Sequence, residues 1–479
     1  MPPGTPSGQR SSGSALRSRF TNSGEVALDR DPHRRLRGQA RRSDGCAESL
    51  GLVRGSGVDR PTIVADRLRG YPEPAHRAIE VSMTGDKHYY VESFGTVKLS
   101  AFRIEQSPFA HRYVTDETVF CLYCDRLYPV KMTADEDPVP NYWKLRRGVM
   151  LYDVPEKPLE VIGPDAGRLL EKVLTCRVEA LPVGRARYGL ACRADGTILM
   201  DGVVMRLAGD RFWYVKANGE FQSWLEAHAI GLDVEVRDPR SRVLQIQGPK
   251  SLQVLDAAIG GGLPEDFKYF HADFFDVCGQ RLWVSRTGWT GEAGIEIYCN
   301  SGPAPTDHDA LWVGLLACGE PFGMEFSSSS SMGLRRIESG ILDNGTDIEG
   351  GSTPYGAGLG QFVKLDKDDF IGRDALETAD RSQLLFGLVC ATATPEAGRA
   401  VHLDGGPVGH MTAGSWSPTL DAGIGYVRFD APLPGDDWNG KTVRLHDRNG
   451  TLHDATLDTL PFVDKEKQLP RVAWSGSGS

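Results

Sequence analysis

The stretch Arg286-Thr-Gly-Trp-Thr-Gly-Glu-Ala-Gly-Ile-Glu-Ile297 has two halves with different periodicities. In the second, Ile295 and Ile297 alternate with Glu296, the period of two that marks a strand. The first is punctuated by Gly288, Gly291 and Gly294, a turn that lets backbone approach a ligand closely. A carboxylate on a strand just beyond such a turn is placed to grip a flat heterocycle. Its two oxygens accept two parallel N–H bonds, as from the amidine edge of a pterin or a guanine. An ordinary strand with Glu296 on its solvated face fits the same pattern.

At 479 residues the chain exceeds what one core serves and points to two or three domains. An apolar content of 40% and a charged content of 25% are those of a water-soluble globular protein. Absence of any run of 18 apolar residues gives no transmembrane helix, and a net charge of −10 argues against a nucleic-acid partner. Nine scattered cysteines form no disulfide framework, which fits a reducing, cytoplasmic setting. Cys121 and Cys124 make a lone C-x-x-C with no second pair at zinc spacing, so strand alternation explains them and no metal site is expected.

Residues 1–86 differ from the rest: they carry fourteen Arg, ten Asp or Glu and no Lys. Rich in Gly, Ser and Pro, they read as a disordered leader, with Met83 as the expected natural start rather than a transit peptide. Beyond them remain 40 basic and 54 acidic residues, a net of −14 that mildly favours approach of a cationic substrate.

Further along, Tyr142 to Val154 begins as a helix and ends as a strand. Glu160-Val-Ile-Gly-Pro-Asp165 leads into a helix over 166–174, with Asp165 at its N-cap. The same strand, Gly-Pro turn and helix recur from Leu244 to about Ala258, which points to α+β packing with mixed sheets. Between them, Gly196 to Met205 is a hairpin-like apolar run containing one acid, Asp201. A buried acid there needs a partner; a turn aspartate before Gly202 is the alternative. Trp224 rides on a following helix, Asp309 to Cys318 is a further helix, and Ser327 to Ser331 is a low-complexity serine run. From residue 377 short alternating runs separated by Gly-rich turns predict a small antiparallel β-barrel.

The T-G-W-T-G-E-A-G-I-E segment resembles the signature of the aminomethyltransferase (glycine-cleavage T-protein) family. Q-I-Q-G-P-K (245–250), L-R-R-I-E-S-G (334–340), F-I-G-R-D-A-L (370–376) and S-W-S-P-T-L (415–420) match in the expected order. The resemblance implies a three-domain cloverleaf: two mixed α/β folate-binding domains, here 95–376, and a C-terminal barrel, 377–479. It implies tetrahydrofolate as one-carbon acceptor, held by Glu296, Arg336 and Glu292 with Tyr188 and Trp289 lining the pterin pocket. Asp201 falls on the family's catalytic aspartate, although the T-protein's Asp pair is here Met200-Asp201-Gly202.

S-P-F-A-H-R (107–112), the Tyr142–Val154 run and L-R-R-I-E-S-G-I-L-D-N-G-T-D-I resemble the dimethylsulfoniopropionate demethylase branch most. The T-protein's D-V-S-H-M is here Asp153-Val-Pro-Glu-Lys-Pro, while Asn344 departs from the demethylase pattern, where a tyrosine is expected. The expected reaction is therefore demethylation of a small sulfonium or ammonium donor to give 5-methyltetrahydrofolate. A cation of that kind calls for aromatic faces, with Tyr123, Trp143, Trp213 and Tyr214 as candidates. The alternative is a glycine-cleavage aminomethyltransferase, whose partner is a lipoyl-carrier protein. A non-catalytic folate-binding relative in iron–sulfur assembly is a third reading, disfavoured because 341–351 lacks the cysteine of that group's K-G-C-Y motif.

Overall fold

The computed structural model describes residues 103–432 and 438–476. The leader expected over 1–86 lies outside them.

Two sheets form the body. One has six strands in the order Ala272–Val277, Gln280–Ser285, Gly294–Tyr298, Val243–Gln247, Met150–Val154, Glu325–Phe326. The other has five, in the order Ala186–Cys192, Ile198–Ala208, Arg211–Lys216, Lys157–Ile162, Glu235–Arg237. Both repeats of the strand, Gly-Pro turn and helix unit are present, with helices Ala166–Val173 and Ser251–Ala258. Asp165 occupies the N-cap position as expected, but its side chain makes no capping bond; its Oδ2 accepts from the Asp233 amide at 2.9 Å, tying the turn to a neighbouring loop.

Alternation decides the layering. Ile295 and Ile297 point to a core with Leu255 and Leu311 of the covering helices Ser251–Ala258 and His308–Gly319. Glu296 and Tyr298 point the other way, and Tyr298 packs there with Trp213, Trp283 and Met205 where the two sheets face each other. The third core lies under the five-stranded sheet, where Leu169, Leu170 and Leu225 pack on Val161 and Phe212.

The C-terminal domain is a closed six-stranded antiparallel barrel. Its strands include the five runs expected over 384–390, 401–403, 409–413, 425–427 and 443–445 and a sixth, Leu452–Asp458, in which only Ala455 and Leu457 are buried. The serine run leads into helix Ser330–Glu338, and Ser328 and Ser330 donate to Glu136 at 2.6 and 2.8 Å. Glu338 at the end of this helix accepts from Tyr142 (2.8 Å) and from Ser417 of the barrel (2.5 Å), joining barrel to body.

Candidate active site

A cavity of about 330 Å³ opens at the junction of the two sheets, lined on one side by Asp201 and on the other by Glu296. That volume is in the range of small-ligand sites, roughly 300–1,000 Å³. Glu296 is buried, not solvated. Its cross-strand neighbours are Gln245 and Ser285, so both side chains share its face. Gln245 donates to Oε1 at 2.7 Å; Thr287 (2.5 Å), Tyr298 (2.6 Å) and Ser285 (3.3 Å) donate to Oε2. Burial raises its carboxyl above the ordinary range and these bonds oppose the rise.

The glycines beside it serve a protein neighbour more than a ligand. A Cβ on Gly288 or Gly294 would fall 2.1 or 2.4 Å from the Gln247 amide, which fills the inside of the turn. Gly288 still lines the cavity.

Asp201 lies mid-strand, not in a turn. Gly202 follows because its neighbour strand passes close: a Cβ there would sit 2.4 Å from the Val215 carbonyl. Tyr188, diagonal to Asp201 across the strand pair, donates to Oδ2 at 2.8 Å, and Asn344 donates to Oδ1 at 2.9 Å. Asn344, the position where the sequence departs from the demethylase pattern, therefore holds the central acid. Burial lifts the Asp201 carboxyl above its ordinary value, against both hydrogen bonds. Two carboxylates face one cavity, each with fixed donors.

Residues 119–367, just over half the chain, match the GCVT N-terminal domain, and 384–464 match the glycine cleavage T-protein C-terminal barrel domain. The chain belongs to the aminomethyltransferase (glycine-cleavage T-protein) family. An aminomethyltransferase of Streptomyces avermitilis is 34% identical over 71% of this chain and 92% of its own length. The trimethylamine-oxide aldolase of Ruegeria pomeroyi is 31% identical over 70% of this chain and 44% of its own length. Among solved structures, aminomethyltransferase T of the Bartonella henselae glycine cleavage system superposes with a TM-score of 0.66 at 25% identity, covering 75% of this chain and 98% of that one.

In this aminomethyltransferase frame, Asp201, Glu296, Tyr188, Trp289 and Tyr123 come together on the cavity wall. Five other expected residues do not. Arg336 is spent on Asp347, to which its Nη1 donates, and on the Ile341 carbonyl at 3.1 Å. It reaches the site only at second hand, its guanidinium lying 5.4 Å from the Trp289 ring centre. Trp213 is core, donating to Glu160 at 3.0 Å; Tyr214 is buried and donates to the Gly189 carbonyl at 2.9 Å. Trp143 stacks under Arg147.

Glu292, expected in the folate site, is a buried hub that accepts from Arg335 at 2.8 Å and from Arg146. Glu292→Ala strands two guanidiniums and is expected to destabilise the fold by about 3–5 kcal/mol. Chemical denaturation checks this, and folate affinity of the folded fraction should stay within about twofold.

Sequence reasoning missed Glu156, Asp343, Lys216, Phe270, Lys467 and Arg471, all on the cavity wall. Burial, with Asp347 and Asp201 nearby, pushes the Asp343 carboxyl up to about 6 despite Arg336. Cys124 lies in the turn after strand Val119–Tyr123, at φ 52°, with its Sγ 3.5 Å from the Lys216 Nζ. Among the described residues no group of three His, Cys, Asp or Glu is placed to hold a metal, and no helix is long and apolar enough to cross a membrane.

Proposed function

We propose that the chain transfers a one-carbon unit from the nitrogen of an amine donor to tetrahydrofolate. The observation that carries this reading is the pair Asp201 and Glu296 facing one cavity from two sheets. The relatives support an aminomethyl donor, the alternative drawn from the sequence, over dimethylsulfoniopropionate. The cavity suits a flat ring with N–H groups along one edge. Glu296 offers a buried carboxylate, the Gln245 Oε1 beside it is buried without a partner, and Trp289 supplies an aromatic wall.

Tetrahydrofolate supplies the acceptor nitrogen, N5. Glu296 would hold the pterin edge and fix its rotation. Asp201 would sit at the reacting nitrogen, where a carboxylate of raised pKa takes a proton or balances positive charge. Tyr188 and Asn344 already pin both of its oxygens, so little reorganisation remains for the transfer itself. In methylene transfer the carbon bonds to N5 and N10 while its bonds to the carrier sulfur and to the amine nitrogen break, the thiol and ammonia leaving with those electron pairs. In whole-methyl transfer one bond to N5 forms and one bond to the amine nitrogen breaks, the pair leaving with the amine. Leu359 and Phe362 on the cavity wall keep water from the reacting carbon.

Lys467 and Arg471 are exposed at the cavity mouth, where the anionic glutamate tail would emerge. Replacing both with alanine is expected to weaken tetrahydrofolate by roughly two- to thirtyfold, since exposed charge pairs contribute about 0.2–1 kcal/mol each. The loss should shrink at high salt and vanish for a pterin without the tail, as calorimetry can show.

A second reading, whole-methyl transfer from a methylated amine, is favoured by the match to a protein named for trimethylamine oxide. One experiment separates them. The full chain is incubated with tetrahydrofolate and, in turn, an aminomethyl-loaded lipoyl carrier, dimethylglycine, glycine betaine and dimethylsulfoniopropionate. Methylene-folate from the carrier is the expected product, and methyl-folate from a methylated amine selects the second reading. Folate left unchanged by every nitrogen donor would sink the proposal.

A further inference from the structure

Strands Met150–Val154 and Lys157–Ile162 belong to different sheets, and only Pro155 and Glu156 connect them. The crossover puts Glu156 on the cavity wall beside Tyr123, Phe270 and Trp289. Its backbone carbonyl is anchored by Arg126 Nη1 at 2.8 Å, and Arg126 is itself buried. The position is therefore fixed. The side chain differs from the other three acids of the cavity, Asp201, Glu296 and Asp343: its Oε2 is sealed from solvent and accepts no hydrogen bond.

An acceptor left unpartnered in a buried site costs about 1–3 kcal/mol, more when it is charged. Because the rest of the side chain lines the cavity, a rotation about the soft terminal torsion turns this acceptor toward a donor on the ligand. Building on the folate-dependent reading above, we infer that Glu156 is the counter-charge for the one-carbon donor, its Oε2 accepting an N–H from a protonated amine nitrogen.

The class of donor follows. A protonated primary, secondary or tertiary amine carries the N–H that Oε2 lacks; a quaternary ammonium or a sulfonium does not. The aromatic rings beside Glu156 suit the alkyl groups on that nitrogen. Charge around the carboxyl is mixed: Glu296, two strands away in the six-stranded sheet, opposes its ionisation, while Arg242 and Arg126 favour it. Burial and Glu296 together push its carboxyl up to about 8, and a cation in the cavity would return it to the ionised form. Arg126 is held by Glu105 and the Glu156 carbonyl, and Arg242 donates through Nε to Asp153 and through Nη2 to the Leu127 carbonyl, its Nη1 making no hydrogen bond to Glu156.

The test uses trimethylammonium and tetramethylammonium, which differ by one N–H, titrated calorimetrically into the full chain above about pH 8. The wild type should prefer trimethylammonium by about tenfold or more, the worth of one charge-assisted bond. Glu156→Leu, which removes the carboxylate, should bring the two affinities together, and Glu156→Gln should narrow the gap. A wild type indifferent to the N–H, or a preference surviving in Glu156→Leu, would overturn the assignment. The wild-type comparison stands even if a variant does not fold. Tetrahydrofolate titrated into the same samples reports separately on the functional reading. Folate bound without amine discrimination rejects Glu156 alone, and amine discrimination without folate binding rejects the folate reading alone.

Discussion

Asp201→Asn is expected to lower turnover by about 10²–10³-fold while leaving tetrahydrofolate and donor affinities within a few-fold of wild type. The asparagine fits the same space. Its carbonyl can accept from Asn344, and its amide can donate to the Tyr188 oxygen once that hydroxyl rotates, so neither neighbour is stranded. What disappears is the negative charge and the capacity to take a proton at the reacting nitrogen. Single-turnover rates measured at saturating ligands isolate that loss from binding. A normal rate would make Asp201 a structural acid that merely joins Tyr188 to the Asn344 loop.

Glu296→Gln is expected to weaken tetrahydrofolate by more than tenfold, because a hydrogen bond to a charged group contributes about 1.5–3 kcal/mol. Glutamine is the informative change. Alanine would leave Tyr298, Thr287 and Gln245 without their shared acceptor and confuse affinity with stability. In Glu296→Gln the hydroxyls of Thr287, Ser285 and Tyr298 can rotate to accept from the new amide, so unfolding should shift little. Calorimetric titration of the folate reads the effect, and an unchanged affinity would take the pterin away from this wall.

Different parts of this architecture were legible to different degrees. Ile295 and Ile297 gave away the strand and its layer because alternation is a local signal, and the barrel strands were readable for the same reason. Leu452–Asp458 escaped because its buried face rests on Ala455 and Leu457 alone, too little apolar mass to mark a strand. Asp201 needed the family resemblance, since a single acid before a glycine looks the same in a turn as in mid-strand; only the close approach of Val215 explains Gly202. Arg336 and Glu292 were placed in the folate site by motif, yet their partners are Asp347 and Arg335, which no local pattern could supply. Glu156 was hidden for a related reason. It stands in a two-residue crossover without periodicity, and its meaning depends on which sheets that crossover joins. The aromatic candidates divided on burial: Tyr123 reached the cavity, while Trp213 and Tyr214 went into core, as strand aromatics commonly do.

The most direct test of the arrangement is a crystal structure of the full chain with 5-methyltetrahydrofolate. The pterin should occupy the inter-sheet cavity with its amino-pyrimidine edge on Glu296, N5 within hydrogen-bond reach of Asp201, and the glutamate tail leaving past Lys467 and Arg471. Folate bound with its ring away from both carboxylates, or lying outside this cavity, would contradict the assignment of the site.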